Sequence, residues 1–150
     1  MTMSVFMMLL VVAACGSQKP TPVTTVAEPT ATAVLPDAPF DQLDHDQRHL
    51  FMEQKVVPAM APIFKQHDPK AFAELGCKTC HGKRVDDHDF EMPNPDLPKL
   101  NFADPSKFDK TDLEWMQNVV KPTMAKLLSR PELSPENPKG FGCHNCHTTE

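Results

Sequence analysis

The chain has 150 residues, room for one modest domain and little more. Its formal net charge of −5 leaves no basic surplus and argues against a nucleic-acid partner. Sixteen prolines against five glycines, with no tyrosine, put part of the length outside any packed core, because the prolines gather in an early segment and in loops.

The first element is an apolar run over residues 5–14, too short to span a bilayer and suited to the core of a signal peptide. It ends in Val12-Ala13-Ala14-Cys15-Gly16, which resembles the bacterial lipobox. That resemblance implies cleavage of 1–14 before Cys15, lipid attachment to the Cys15 thiol, and a mature protein anchored on the periplasmic side of a bacterial membrane. Residues 15–39 follow as a linker rich in Pro, Thr, Ala and Val. Such a composition forms no core and is expected to be a disordered, extended tether, at about 3 Å per residue.

The remaining segment, 40–150, reads as one mainly α domain built from two repeats, about 41–82 and 111–147. Phe51-Met52-Glu53-Gln54-Lys55-Val56-Val57-Pro58-Ala59-Met60-Ala61 matches Trp115-Met116-Gln117-Asn118-Val119-Val120-Lys121-Pro122-Thr123-Met124-Ala125 at an offset of 64 residues. Leu50, Val57, Met60 and Phe64 trace one helical stripe from a start near Asp41. Leu113, Met116, Val120, Met124 and Leu127 trace the other. Thr111-Asp112-Leu113-Glu114 reads as a capping box for the second helix. Pro58 and Pro122 each remove a backbone donor and are expected to kink or break their helices. Asp68-Pro69 reads as the start of a short helix leading to Cys77, and Ser134-Pro135 as its counterpart.

Each repeat closes on a Cys-x-x-Cys-His motif: Cys77-Lys78-Thr79-Cys80-His81 and Cys143-His144-Asn145-Cys146-His147. Two thiols three residues apart on one helical turn can bond the two vinyl groups of a haem, and the next histidine then faces the iron. Together the motifs use every cysteine except Cys15. Zinc held by four thiolates is a rival, but it leaves the two histidines unexplained, and a 62-residue separation is long for a zinc ribbon. A thioredoxin-like redox pair is another, but no strand pattern precedes either motif. The expected cofactors are two covalently bound c-type haems, attached through Cys77, Cys80, Cys143 and Cys146, with His81 and His147 on the irons.

Only Thr148, Thr149 and Glu150 follow His147, so the sixth ligand is expected from upstream or from the other repeat. Met60 and Met124 stand 17 and 19 residues before their motifs, just after the shared proline. Met52 and Met116 are also repeated and remain alternatives. His45, His49, His67 and His88 lack counterparts in the second copy and read as surface residues. His144 is expected to point away from its own iron, and Met92 to sit in a loop that shields haem. Phe51, Phe64, Phe72, Trp115, Leu127 and Phe141 are the expected haem-lining apolar residues.

Helix-borne methionine, connector, then Cys-x-x-Cys-His resembles the repeat of the multihaem cytochrome subunit of photosynthetic reaction centres, over about 51–81 and 115–147. The resemblance implies paired haems related by a pseudo-twofold axis, with His81/Met60 and His147/Met124 ligation. An iron filled on both sides exchanges electrons without binding substrate. The expected function is thus a membrane-anchored dihaem electron carrier, not an enzyme, with redox proteins as donor and acceptor. The alternatives are a small dihaem enzyme such as a peroxidase with one open haem site, and a structural metal-binding lipoprotein.

Overall fold

A computed structural model describes residues 34–150. The expected signal peptide, Cys15 and most of the linker lie outside the described residues. What is described is mainly helical, with isolated bridges in place of strands.

The first helix opens at Asp44, not near Asp41. Asp44 accepts from the Gln47 N–H at 2.9 Å, and the Gln47 side chain accepts from the Asp44 N–H at 3.0 Å. α1 (His45–Phe51) runs into a π turn (Met52–Val56) and then α2 (Val57–His67) without a break. Pro58 does not break the helix, because the backbone widens just ahead of it. The Val57 N–H reaches back five residues to the Met52 carbonyl, relieving the pressure of the proline ring on the preceding turn. Pro62, inside α2, is exposed, so water can serve the carbonyl it leaves unpaired.

After a connector comes α3 (Cys77–His81), which is the first motif itself. The helix expected from Asp68 stops after one turn. Asp68 caps the Lys70 and Ala71 N–H groups, and Phe72 N–H bonds the Asp68 carbonyl. Phe72 then packs edge-on against Phe64 at 4.9 Å, and this aromatic contact turns the chain away. Ser134 likewise closes only a local turn, accepting from Asn137 N–H.

The second long helix is capped by Asp109, two residues before the expected Thr111; its carboxylate accepts from the Thr111 and Asp112 N–H groups. α4 (Lys110–Trp115), a π turn (Met116–Val120) and α5 (Lys121–Leu127) reproduce the first helix. Both π turns fall on matched residues of the repeat, and each precedes the shared proline.

The extra residue in each turn alters which side chains share a face. In an unbroken α-helix Met52 and Met60 would lie about 80° apart; absorbing one residue brings them within about 20°. The same holds for Met116 and Met124. The helices pack along their apolar faces. Val56, Met60 and Phe64 gather Trp115, Met116, Val120, Met124 and Leu127, and Ala125, Leu128 and Phe141 gather Phe51 and Met52. Phe64 meets the Trp115 ring edge-on at 4.8 Å. His67 is half-buried, contrary to its expected surface place. Its ring lies flat on Trp115 at 3.8 Å, and its Nε2 pairs with Asp112 at 2.7 Å, latching α2 to α4.

Candidate functional site

The two motifs are built alike. Gly76 and Gly142 are both extended (φ −153°, ψ −170° and φ −148°, ψ −170°), and a tight turn begins at the following cysteine. The third motif residue caps that turn. Thr79 Oγ1 accepts from Gly76 N–H at 3.2 Å, and Asn145 Oδ1 accepts from Gly142 N–H at 2.8 Å. Gly142 also has a packing reason: a Cβ there would come within 2.7 Å of Leu133. The first motif continues as an α-helical turn. The second is a 3-10 turn over Cys143–Asn145, with His147 N–H bonded to the Cys143 carbonyl at 2.9 Å. In both, cysteines three residues apart fall on one side of the turn.

All four cysteines are free and half-buried. Burial pushes the Cys80 thiol above its ordinary value, and the neighbouring Cys77 adds to the effect. Burial likewise pushes Cys146 up to about 12, with help from Cys80 and Cys143. The influence of Cys80 on Cys146 makes the two motifs neighbours in space. Burial thus favours the protonated thiol at Cys80 and Cys146. Among the described residues no three His, Cys, Asp or Glu side chains converge as a metal cluster, so the four thiolates of the zinc reading are not gathered at one point.

The histidines are oriented by one loop segment, residues 90–100. His147 Nδ1 lies 2.9 Å from the Pro98 carbonyl. A carbonyl can only accept, so Nδ1 carries the proton and Nε2 keeps its lone pair when the ring is neutral. Burial lowers the affinity of His81 for a proton, opposed by the Phe90 backbone carbonyl and the charge of Asp89. His81 Nδ1 is buried without a hydrogen bond of good geometry. The Phe90 ring stands edge-on to His81 at 5.6 Å and also meets His49. After His81 the chain turns through Gly82 at φ +67°, a left-handed conformation that favours glycine, and a Cβ there would strike Asp96 at 2.6 Å.

Asn94 is completely buried. Its Nδ2 donates to the Cys80 carbonyl at 2.9 Å, its backbone N–H donates to the Cys146 carbonyl at 2.9 Å, and its Oδ1 accepts from Asp96 N–H at 2.8 Å. A parallel bridge pairs Asn94 with His147, and another pairs Leu100 with Thr149. Sequence reasoning missed Phe90, Asn94, Pro98 and the capping roles of Thr79 and Asn145. The one available signal was the proline-dense stretch around Asn94, read only as a haem-shielding loop.

Met60 is 3% exposed and sits in the helix-pair core with Met52, Met116 and Met124 against the same cluster. The first motif approaches this cluster through Phe72 and Leu75 of the connector. The second approaches more directly, since Cys146 packs against the Ala125–Leu128–Phe141 cluster together with Met124 and Met52. All four methionines are thus gathered between the helices, and Met60 is the most enclosed. His144 is exposed and packs on the Phe102 ring at 4.9 Å. His45, His49 and His88 are exposed as well.

The donor set fits c-type haem: two pairs of thiols, each pair followed by a histidine, one of which is held by a backbone carbonyl, beside an apolar cluster rich in thioether sulfur. Among the described residues no helix is long and apolar enough to cross a membrane. In comparisons with known proteins, no family model matches the chain, and neither a curated protein nor a solved structure proves similar to it.

Proposed function

We propose that this protein is a lipid-anchored, periplasm-facing dihaem cytochrome c that passes single electrons between redox proteins. The observation that carries the reading is the Nδ1 contact of His147 with the Pro98 carbonyl. It leaves the Nε2 lone pair of the neutral ring free beside a motif whose two thiols sit on one side of a turn. Cys77 and Cys80 would hold one haem and Cys143 and Cys146 the other, with His81 and His147 as iron ligands. Bound haem supplies one-electron exchange between ferrous and ferric iron.

The chain's own residues do the rest. Pro98 fixes the His147 tautomer and makes its ring a stronger donor, the usual effect of a hydrogen bond behind a metal-bound imidazole. Met60 and Met124 supply thioether sulfur from the helix pair, which favours the ferrous state relative to a second imidazole. The apolar cluster around them keeps water away. With Met60 and Met124 as further ligands, neither iron would keep a position for substrate, and this is the ground for preferring a carrier to a peroxidase.

The test uses the full chain expressed with a haem-maturation system. Its mass should exceed that of the polypeptide by two porphyrins, and the oxidised protein should show the charge-transfer band of methionine bonded to iron. That band should be partly lost in Met60→Ala and in Met124→Ala, and retained in Met52→Ala and Met116→Ala. Rapid, full binding of carbon monoxide to one ferrous haem would instead identify an enzyme or sensor with an open site. A mass without porphyrin would end the haem reading.

A further inference from the structure

We propose that Asn94 is a coupling residue, the one buried amide that ties the two haem-attachment turns together and so fixes how the two haems sit relative to each other. The inference rests on the dihaem reading above. Asn94 has no exposed surface, and all of its described hydrogen bonds are committed. Its side chain holds the carbonyl of Cys80, its main chain holds the carbonyl of Cys146, and its Oδ1 is held in turn by Asp96 N–H. Cys80 and Cys146 are the second, histidine-flanking cysteines of their motifs. A displacement of either carbonyl would therefore be transmitted to the adjacent thioether and histidine together.

Geometry gives Asn94 this role in preference to its neighbours. Asp96 meets Gly82 and Lys83 just after the first motif, and Leu100 bonds Thr148 and Glu150 just after the second. The helix pair joins the two repeats as well, but at the level of the methionine helices rather than the cysteine turns. A residue that is completely buried and hydrogen-bonded to both turns holds a geometry far more tightly than exposed contacts do. Two haems held in fixed mutual orientation couple their Soret transitions, which gives a bisignate circular-dichroism couplet.

The experiment compares matured wild-type full chain with Asn94→Ala and the near-isosteric Asn94→Asp, which keeps an acceptor for Asp96 N–H but cannot donate to Cys80 when ionised. The wild type should show the couplet. Both variants should retain two haems by mass and the methionine–iron band, while the couplet weakens by about twofold or more. An unchanged couplet in a variant with both haems overturns the coupling role and leaves the dihaem reading standing. A porphyrin-free wild type removes both, and the mass distinguishes the two cases. If neither variant matures, hydrogen exchange on the wild type decides. The Asn94 amide, bonded to Cys146, should be the slowest to exchange in the 88–104 segment. Exchange as fast as that of its loop neighbours overturns the proposal.

Discussion

Single residues carry two different loads here, and their energies differ. Asn94 is buried, and Asn94→Ala keeps its backbone bond to Cys146 but leaves the Cys80 carbonyl and the Asp96 N–H unpaired, which should cost about 1–3 kcal/mol in denaturant unfolding of the matured protein. Asp41 and Arg130 form a two-pronged ion pair that joins the start of the domain to the end of the second long helix, and Asp41 is largely exposed. The Arg130 hydrogen bond holds the Asp41 carboxyl below its ordinary value, with burial opposing and the Arg130 charge assisting. A depressed carboxylate contributes stability above its unfolded pKa, near 3.9, and loses it as pH falls through the folded value. Asp41→Asn should therefore melt lower than wild type at about pH 7, by less than about 1 kcal/mol because the pair faces solvent, and the gap should close as pH falls through the depressed folded value. A gap that widens in acid would contradict the sign.

At the scale of elements, the π turns are the feature to test. Deleting Asn118 from the exposed side of the second turn should let it close as ordinary α-helix, with Met116 and Met124 still on one face. It would also press Pro122 against the preceding turn, and the expected loss is about 3 kcal/mol or more in denaturant unfolding. Adding Pro122→Ala to the deletion should restore most of that stability, and Pro122→Ala alone should be tolerated. Failure of the double change to rescue would mean that register, rather than the proline clash, is the cost.

The same elements show what sequence could and could not convey. The repeat, both helices and both motifs were readable because periodicity and spacing are local. The proline rule identified the missing bond at Pro58 and Pro122 but not whether the chain would bend or widen. Both helix starts were misplaced by two or three residues, since Asp44 and Asp109 win the capping role by side-chain geometry. The Asp68 helix failed because Phe72 had a better partner in Phe64, a tertiary contact that outweighs local preference. The orienting contacts were invisible for a related reason. Pro98 and His147 are 49 residues apart, and a backbone carbonyl has no residue signature.

For the whole molecule, the apolar interior is slight. Only Leu43, Val56, Met60, Phe64, Ala125, Leu128 and Phe141 are buried among the described hydrophobic residues. A domain of this size with long irregular connections has little to hold it unaided. Replacing Cys77, Cys80, Cys143 and Cys146 by serine should abolish covalent haem and, with it, the cooperative thermal transition followed by far-ultraviolet circular dichroism. A sharp, native-like melt of that variant would show that the polypeptide suffices. Because both apolar clusters draw on residues of both helices, loss of one of the proposed haems should loosen both halves together. Cys77→Ser/Cys80→Ser should therefore broaden the entire transition rather than leave a stable second half.

The two halves match in helix, turn and motif, yet His147 is backed by a carbonyl and His81 Nδ1 is not. An imidazole polarised from behind gives more electron density to the metal and favours the oxidised form. In the proposed dihaem form that small inequality would give the pair a polarity: the N-terminal iron should fill first in a reductive titration, and charge delivered at the C-terminal end should run downhill toward the other.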